Sequence, residues 1–118
     1  MNKFLILSVA VLLGAGTSAC GKRCSNEPVT AIPSPSGKNK AVVFHRVCEG
    51  TAANTQVSVL ASYSELSNIP GNALILDGDA PVQVRWTSDS SLTISGLGTA
   101  QVHKRQPSVT NISITYDQ

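Results

Sequence analysis

The hydrophobic positions divide the chain into two regimes. From Phe4 to Ala15 apolar residues run almost unbroken; Lys3 precedes them, and Gly16, Thr17, Ser18 and Ala19 close the run on small side chains. Residues 21 to 40 are polar, with Pro28, Pro33 and Pro35 spaced among Ser, Thr, Asn and Lys. Beyond them the pattern becomes one of short strands. Lys40–Cys48 is rich in β-branched and aromatic side chains and predicts a strand covered on both faces. Val57, Val59 and Ala61 alternate with smaller or polar partners, and Ala73–Leu76 is a short apolar strand closed by Asp77-Gly78-Asp79. The cleanest alternation sets Val82, Val84 and Trp86 on one face, with Gln83, Arg85 and Thr87 on the other. A turn at Ser88–Ser91 then leads to a return strand through Leu92 and Ile94. Ala100–Arg105 and a last stretch with Ile112, Ile114 and Tyr116 complete about seven strands, which favours an all-β fold, a small antiparallel sandwich or partly open barrel. The connection from Tyr63 to Pro70 has room for one helical turn at Ser64-Glu65-Leu66-Ser67.

The first regime has the three parts of a secretory signal: a basic start, an apolar middle and a small-residue end. A spanning helix needs about 20 apolar residues, so this shorter run reads as a cleaved leader over residues 1–19, helical before its removal. Cleavage of 19 residues from a chain of 118 leaves enough for one domain and too few for two. The organisation expected is a signal over 1–19, a spacer over 20–40 that is extended and without a hydrogen-bonded ladder up to a turn at Ser34-Pro35-Ser36-Gly37, and a β-domain over 41–118.

Thr17-Ser18-Ala19-Cys20 resembles the lipobox of bacterial lipoproteins, in which a cysteine after small residues receives diacylglycerol on its sulfur before the leader is removed. The family usually carries Leu where Thr17 stands, and Thr17 with Ala19 also suits an ordinary signal peptidase, which would leave Cys20 a free thiol. The resemblance implies lipid attachment at Cys20, a membrane partner held through acyl chains, and a domain facing the periplasm. Gly21, where inner-membrane lipoproteins of many Gram-negative bacteria carry Asp, implies the outer membrane over the inner.

The chain has three cysteines, and acylation of Cys20 leaves Cys24 and Cys48 as an even pair in an oxidising compartment. A bridge between them is the economical arrangement; the alternative is a free Cys24 in a mobile leader. Charge adds little. Nine Lys and Arg face seven Asp and Glu, and a nearly neutral domain argues against a nucleic-acid partner, whose phosphates call for a clustered basic face. Lys22-Arg23, the one basic pair near the anchor, reads as solvated spacer, with attraction to anionic headgroups as the alternative.

Ser34-Pro35-Ser36-Gly37-Lys38, then Lys40-Ala41-Val42-Val43-Phe44, Arg46, Cys48 and Thr55-Gln56-Val57-Ser58, resemble a family of small bacterial proteins and lipoproteins that share a Ser-Pro-x-Gly-Lys-x-Lys turn and strand, a cysteine and a Thr-Gln-Val-Ser strand. The resemblance runs on through Val84-Arg85-Trp86 to Ile112–Tyr116, most of the mature domain. It carries no activity with it. The same turn is similar to hairpins of β-propeller blades, but this length supplies about two blades where closure needs four.

Candidate chemistry is thin. His45 and His103 would form a metal or acid-base site only if their strands were neighbours, and surface or half-buried structural histidines are the expectation. No Cys-x-x-Cys or His-x-x-x-His spacing calls for a metal, and no cofactor is expected. Asp77-Gly78-Asp79 lacks the twelve-residue calcium-loop pattern and reads as a hairpin turn. Arg85 beside Trp86 suggests a recognition spot, yet alternation puts them on opposite faces and Trp86 in the core. The leading functional expectation is a non-enzymatic, lipid-anchored envelope protein whose β-domain binds or supports. The alternatives are an exported inhibitor or immunity protein acting through Asp77–Pro81 or Gly96–Thr99 and, third, a small enzyme using the two histidines.

Overall fold

The computed structural model describes residues 23–117. The expected signal over 1–19, its helix and Cys20 lie outside the described residues. Nine strands succeed one another: β1 (Cys24–Pro33), β2 (Asn39–Cys48), β3 (Asn54–Ala61), β4 (Leu74–Asp77), β5 (Gln83–Ser88), β6 (Ser91–Ser95), β7 (Val102–Arg105), β8 (Ser108–Val109) and β9 (Ile112–Tyr116). They form a five-stranded sheet in the order β1-β2-β3-β4-β7 and a four-stranded sheet in the order β5-β6-β9-β8. The fold is all-β, with no helix among the described residues and no closed barrel. Ser64–Ser67 accordingly makes no helical turn. All strand pairs are antiparallel except β9 with β6, which run parallel.

The core lies between the sheets, where period-2 alternation puts one side of each strand. Ala41, Val43, Val57, Val59, Leu74 and Leu76 from the larger sheet meet Val82, Leu92, Ile94, Ile112 and Ile114 from the smaller. Trp86 is half-buried against this cluster, and its indole N–H donates to the Ile32 carbonyl at 2.9 Å, which ties β5 to β1 across the sheets. Burial matches the alternation read along residues 82 to 87, with Gln83, Arg85 and Thr87 exposed.

β2 is covered on both faces, as its composition predicts. Ala41 and Val43 face the core, whereas Val42 and Phe44 point the other way and are equally buried. Residues 62–72 close that second face. Gly71 N–H donates to Gln56 Oε1 at 2.7 Å, and Asn72 N–H to Ser58 Oγ at 3.2 Å. The Asn72 side chain exchanges two bonds with Val59, accepting from its N–H at 2.8 Å and donating to its carbonyl at 2.9 Å, and so imitates a neighbouring strand. Gly71 has to be glycine because a Cβ there would lie 2.8 Å from the Val57 carbonyl oxygen. At the outer end Asn68 accepts from Arg46 at 3.0 Å, and Arg46 also donates to Asn26, so the cover is fastened to β1 and β2 together.

Two expectations are corrected. Residues 24–33 are not an unladdered spacer but the edge strand β1, paired with β2 from Cys24↔Cys48 to Pro33↔Lys40, so the domain begins ahead of residue 41. An edge tolerates Pro28 and Pro33, whose missing N–H groups can lie on the unpaired side, and the ladder shifts register once, between Pro28 and Thr30. With β8, this raises the count from about seven strands to nine. Asp77-Gly78-Asp79 is not a hairpin turn either, because β4 and β5 belong to different sheets; it begins the crossover between them. The crossover is held where Gly96, at φ 83°, passes so close to Pro81 that a Cβ would run into its carbonyl.

The Ser34–Gly37 turn forms as expected, closed by Gly37 N–H to the Ser34 carbonyl at 2.8 Å. It docks on the β5–β6 hairpin through the Ser36 N–H, which donates to Asp89 Oδ1 at 2.8 Å. That backbone bond, seconded by the Ser36 hydroxyl and the nearby Lys38 charge, holds the Asp89 carboxyl below its usual 3.8. A depressed folded value stabilises the fold above the ordinary value, and the gain is lost as pH falls through the folded one. Asp89→Asn is therefore expected to unfold at lower urea than the parent at neutral pH, with the two midpoints converging below about pH 4.

Candidate functional site

The residues with chemical potential gather at one end of the five-stranded sheet, where β1 begins, β2 and β4 end and β3 begins. Cys24 and Cys48 stand opposite each other in the β1–β2 register and are joined in a disulfide, with Cα atoms 4.0 Å apart. Closing a loop across a sequence separation of 24 contributes about 3.5 kcal/mol in the chain-entropy treatment. Glu49 N–H donates to the Arg23 carbonyl at 2.8 Å and Asn68 Nδ2 to the Cys24 carbonyl at 2.8 Å, so the residues around the bridge are held as well.

Beside it lies the Asp77-Gly78-Asp79 crossover. Thr55, fully buried, donates its hydroxyl to the Gly78 carbonyl at 2.6 Å and accepts from the Ala80 N–H at 2.9 Å. The two aspartates flank this anchor and each meets a histidine: His45 Nε2 is 3.1 Å from Asp79 Oδ1, and His103 Nε2 is 2.6 Å from Asp77 Oδ1. The histidines do not come together. β2 and β7 are separated by β3 and β4, so the imidazoles approach the crossover from opposite sides. Among the described residues no group of three or more His, Cys, Asp or Glu side chains is placed to hold a metal ion. This end of the sheet is a polar brace built on one buried threonine, with two partly exposed His–Asp contacts outside it.

The loops named for an inhibitory role are neighbours, since Gly96 packs on Pro81. Both are anchored, Asp77–Pro81 by Thr55 and Gly96–Thr99 by the buried Leu97.

A further opening lies along the side of the sandwich where β1 and β5 run past each other without pairing. It is a cleft of about 410 Å³ lined by Thr30 and Ile32 of β1, Gln83 and Arg85 of β5, and by Ser95 and Asp117. Hydroxyl, amide, guanidinium and carboxylate groups stand there beside apolar surface from Ile32, Val82 and Val84. Arg85 is exposed and makes no ion pair among the described residues. Its outward position was readable from alternation. The opposite wall was not, because β1 carries no alternating apolar pattern to announce it.

At the far edge Tyr116 spans the sheets, its hydroxyl donating to the Gln106 carbonyl at 2.7 Å, with Arg105 stacked 4.7 Å from the ring centre. Burial raises the phenol above its ordinary value, which keeps it a donor.

Thr55→Val strips the crossover of both bonds while keeping the shape of the side chain, and is expected to cost about 1–3 kcal/mol in denaturant titration. His45→Ala and His103→Ala break partly exposed contacts and are expected to cost less than about 1 kcal/mol each.

Comparison with known proteins brings no match: no family model, no curated protein and no solved structure aligns with the chain.

Proposed function

We propose that the chain is a non-enzymatic envelope protein, anchored in a membrane through acyl chains on Cys20, whose β-sandwich serves as a binding or supporting module. The observation that carries this reading is the Cys24–Cys48 disulfide at the head of β1. A bridge of this kind belongs to an oxidising compartment, and it leaves Cys20 as the one cysteine of three outside the pair, at the end of a leader that resembles lipoprotein signals.

The bridge also defines how the anchor would act. Three residues separate Cys20 from Cys24, so four Cα steps span at most about 14 Å when fully extended. The sandwich would therefore sit close to the bilayer, with the disulfide and the aspartate crossover toward the lipid and the Ser34–Gly37 and Asp89 turns away from it. Lys22-Arg23 would lie at headgroup level, where each cation contributes about 1 kcal/mol against anionic lipid. More than one acyl chain makes such attachment lasting, since each buried methylene contributes about 0.8 kcal/mol. The module would face the periplasm, with the outer membrane favoured over the inner by Gly21.

Intact mass and detergent-phase partition of protein from cells test the reading. The parent is expected to carry acyl mass and enter the detergent phase, whereas Cys20→Ala, with an unchanged circular dichroism spectrum, is expected to lose both. A parent chain free of acyl mass and confined to the aqueous phase would refute the anchor.

A further inference from the structure

A β-sandwich that is not a closed barrel exposes four strand edges, and unpaired edges invite strand addition unless something blocks it. Three of the four are blocked here. β1 carries Pro28 and Pro33 and a register shift between Pro28 and Thr30. β7 is four residues long, carries Lys104 and Arg105, and is bulged against its partner. β8 is only two residues long. β5 is the exception: six residues, no proline, and a regular ladder from Gln83 to Trp86 with an irregularity only beyond, between Trp86 and Ser88.

The cleft of about 410 Å³ opens beside this edge, from Thr30 and Ile32 past Gln83 and Arg85 and on to Thr93 and Ser95 of β6 and Asp117, a volume within the range of built ligand sites. β5 and β1 do not pair; among the described residues the hydrogen bond that ties them is the one from Trp86 Nε1 to the Ile32 carbonyl, and the cleft opens from there toward Gln83 and Thr30. We propose that the β5 edge is a docking site for an extended segment of a partner protein, which adds to the four-stranded sheet as a fifth strand and lies in the cleft against β1.

The lining specifies the segment. On the inner side Ile32, Val82 and Val84 favour β-branched apolar side chains at alternate positions. On the outer side Arg85, with no ion pair among the described residues, favours an acidic side chain opposite it, with Gln83 as a further polar contact and Thr93 and Ser95 of β6 one strand further in. Asp117 sets a limit by disfavouring a second acid on that flank. A second copy of this chain is the poorer occupant. Two-fold pairing of β5 centred on any of residues 84 to 86 leaves the two Arg85 side chains opposite or diagonal on one face, about 5–8 Å apart, where like charges repel.

This inference deepens the binding role proposed above, but the two fail separately: mass and partition read the anchor, and peptide binding reads the edge. The probe is a display library of random dodecapeptides, selected on the full chain purified from the cell envelope under oxidising conditions. Selected peptides are expected to alternate β-branched and other residues with one acidic position, and to shift the backbone amide resonances of Gln83–Thr87. N-methylation of alternate peptide amides is expected to abolish binding, because strand addition needs those hydrogen bonds. Arg85→Glu, an exposed and tolerant substitution, is expected to weaken the acidic peptides about three- to fivefold and to favour versions with Lys at the acidic position. Absence of enrichment, binding indifferent to N-methylation, shifts confined to other strands, or dimerisation through β5 would each overturn the proposal.

Discussion

Cys24 and Cys48 occupy facing positions in the β1–β2 ladder, and the bond between them settles what the first ten residues of the sandwich can be. Cys24–Pro33 has two prolines, a glutamate, an asparagine and mostly exposed side chains, so neither hydrophobic alternation nor β-propensity would hold it in a sheet. Fixing one end covalently to β2 lowers the entropy cost of zipping the remainder, and the ladder then runs the whole length of β2. Several further contacts depend on β1 being there. It gives Trp86 the Ile32 carbonyl, gives Arg46 and the cover loop the Asn26 side chain, and supplies one wall of the lateral cleft.

The second constraint is that the five-stranded sheet has two buried faces and only one opposing sheet. The first face is apolar and is met by the smaller sheet. The other mixes Val42 and Phe44 with Gln56 and Ser58, and it is closed by eleven residues without regular structure, which succeed because the buried polar groups of β3 find partners in the loop backbone. Gln56, Ser58 and Asn72 stand in for the strand that would otherwise lie there. This explains why Gln and Ser are fully buried in a strand that alternation alone would have left half wet.

The positions of β2 to β6 and of β9 were legible in the sequence, because each presents an apolar face at every second residue or, for β2 and β4, an apolar run, and β7 was legible as the short stretch between the Gly96–Gly98 and Pro107 breaks. Val82, Val84 and Trp86 announced an inward face, and the structure puts them there. Three things were not legible. β1 owes its strand to a covalent link rather than to pattern. β8 is two residues long and leaves no period to detect. The aspartate crossover has the spelling of a hairpin turn, and only the sheet order shows that the chain changes layers there. Of the candidate residues, the Cys24–Cys48 bridge was reached by counting cysteines on the expectation of an oxidising compartment, whereas pairing of each histidine with a different aspartate depends on strand order, which no local signal encodes.

A covalent clamp, a brace and an open edge thus fall at different places on one small sandwich: the clamp at the Cys24–Cys48 disulfide, the brace at Thr55, and the unblocked edge on the flank at β5. The claim beneath all three is that residues 24–33 form a strand because the disulfide holds them to β2. Amide hydrogen exchange of the oxidised and reduced chain, tracked residue by residue, tests it most directly. In the oxidised chain the ladder-facing amides of β1 are expected to be protected, and on reduction they should lose most of that protection while β3 and β4 keep theirs. Equal protection of β1 in both redox states, or free-chain exchange of β1 with the bridge intact, would contradict the account.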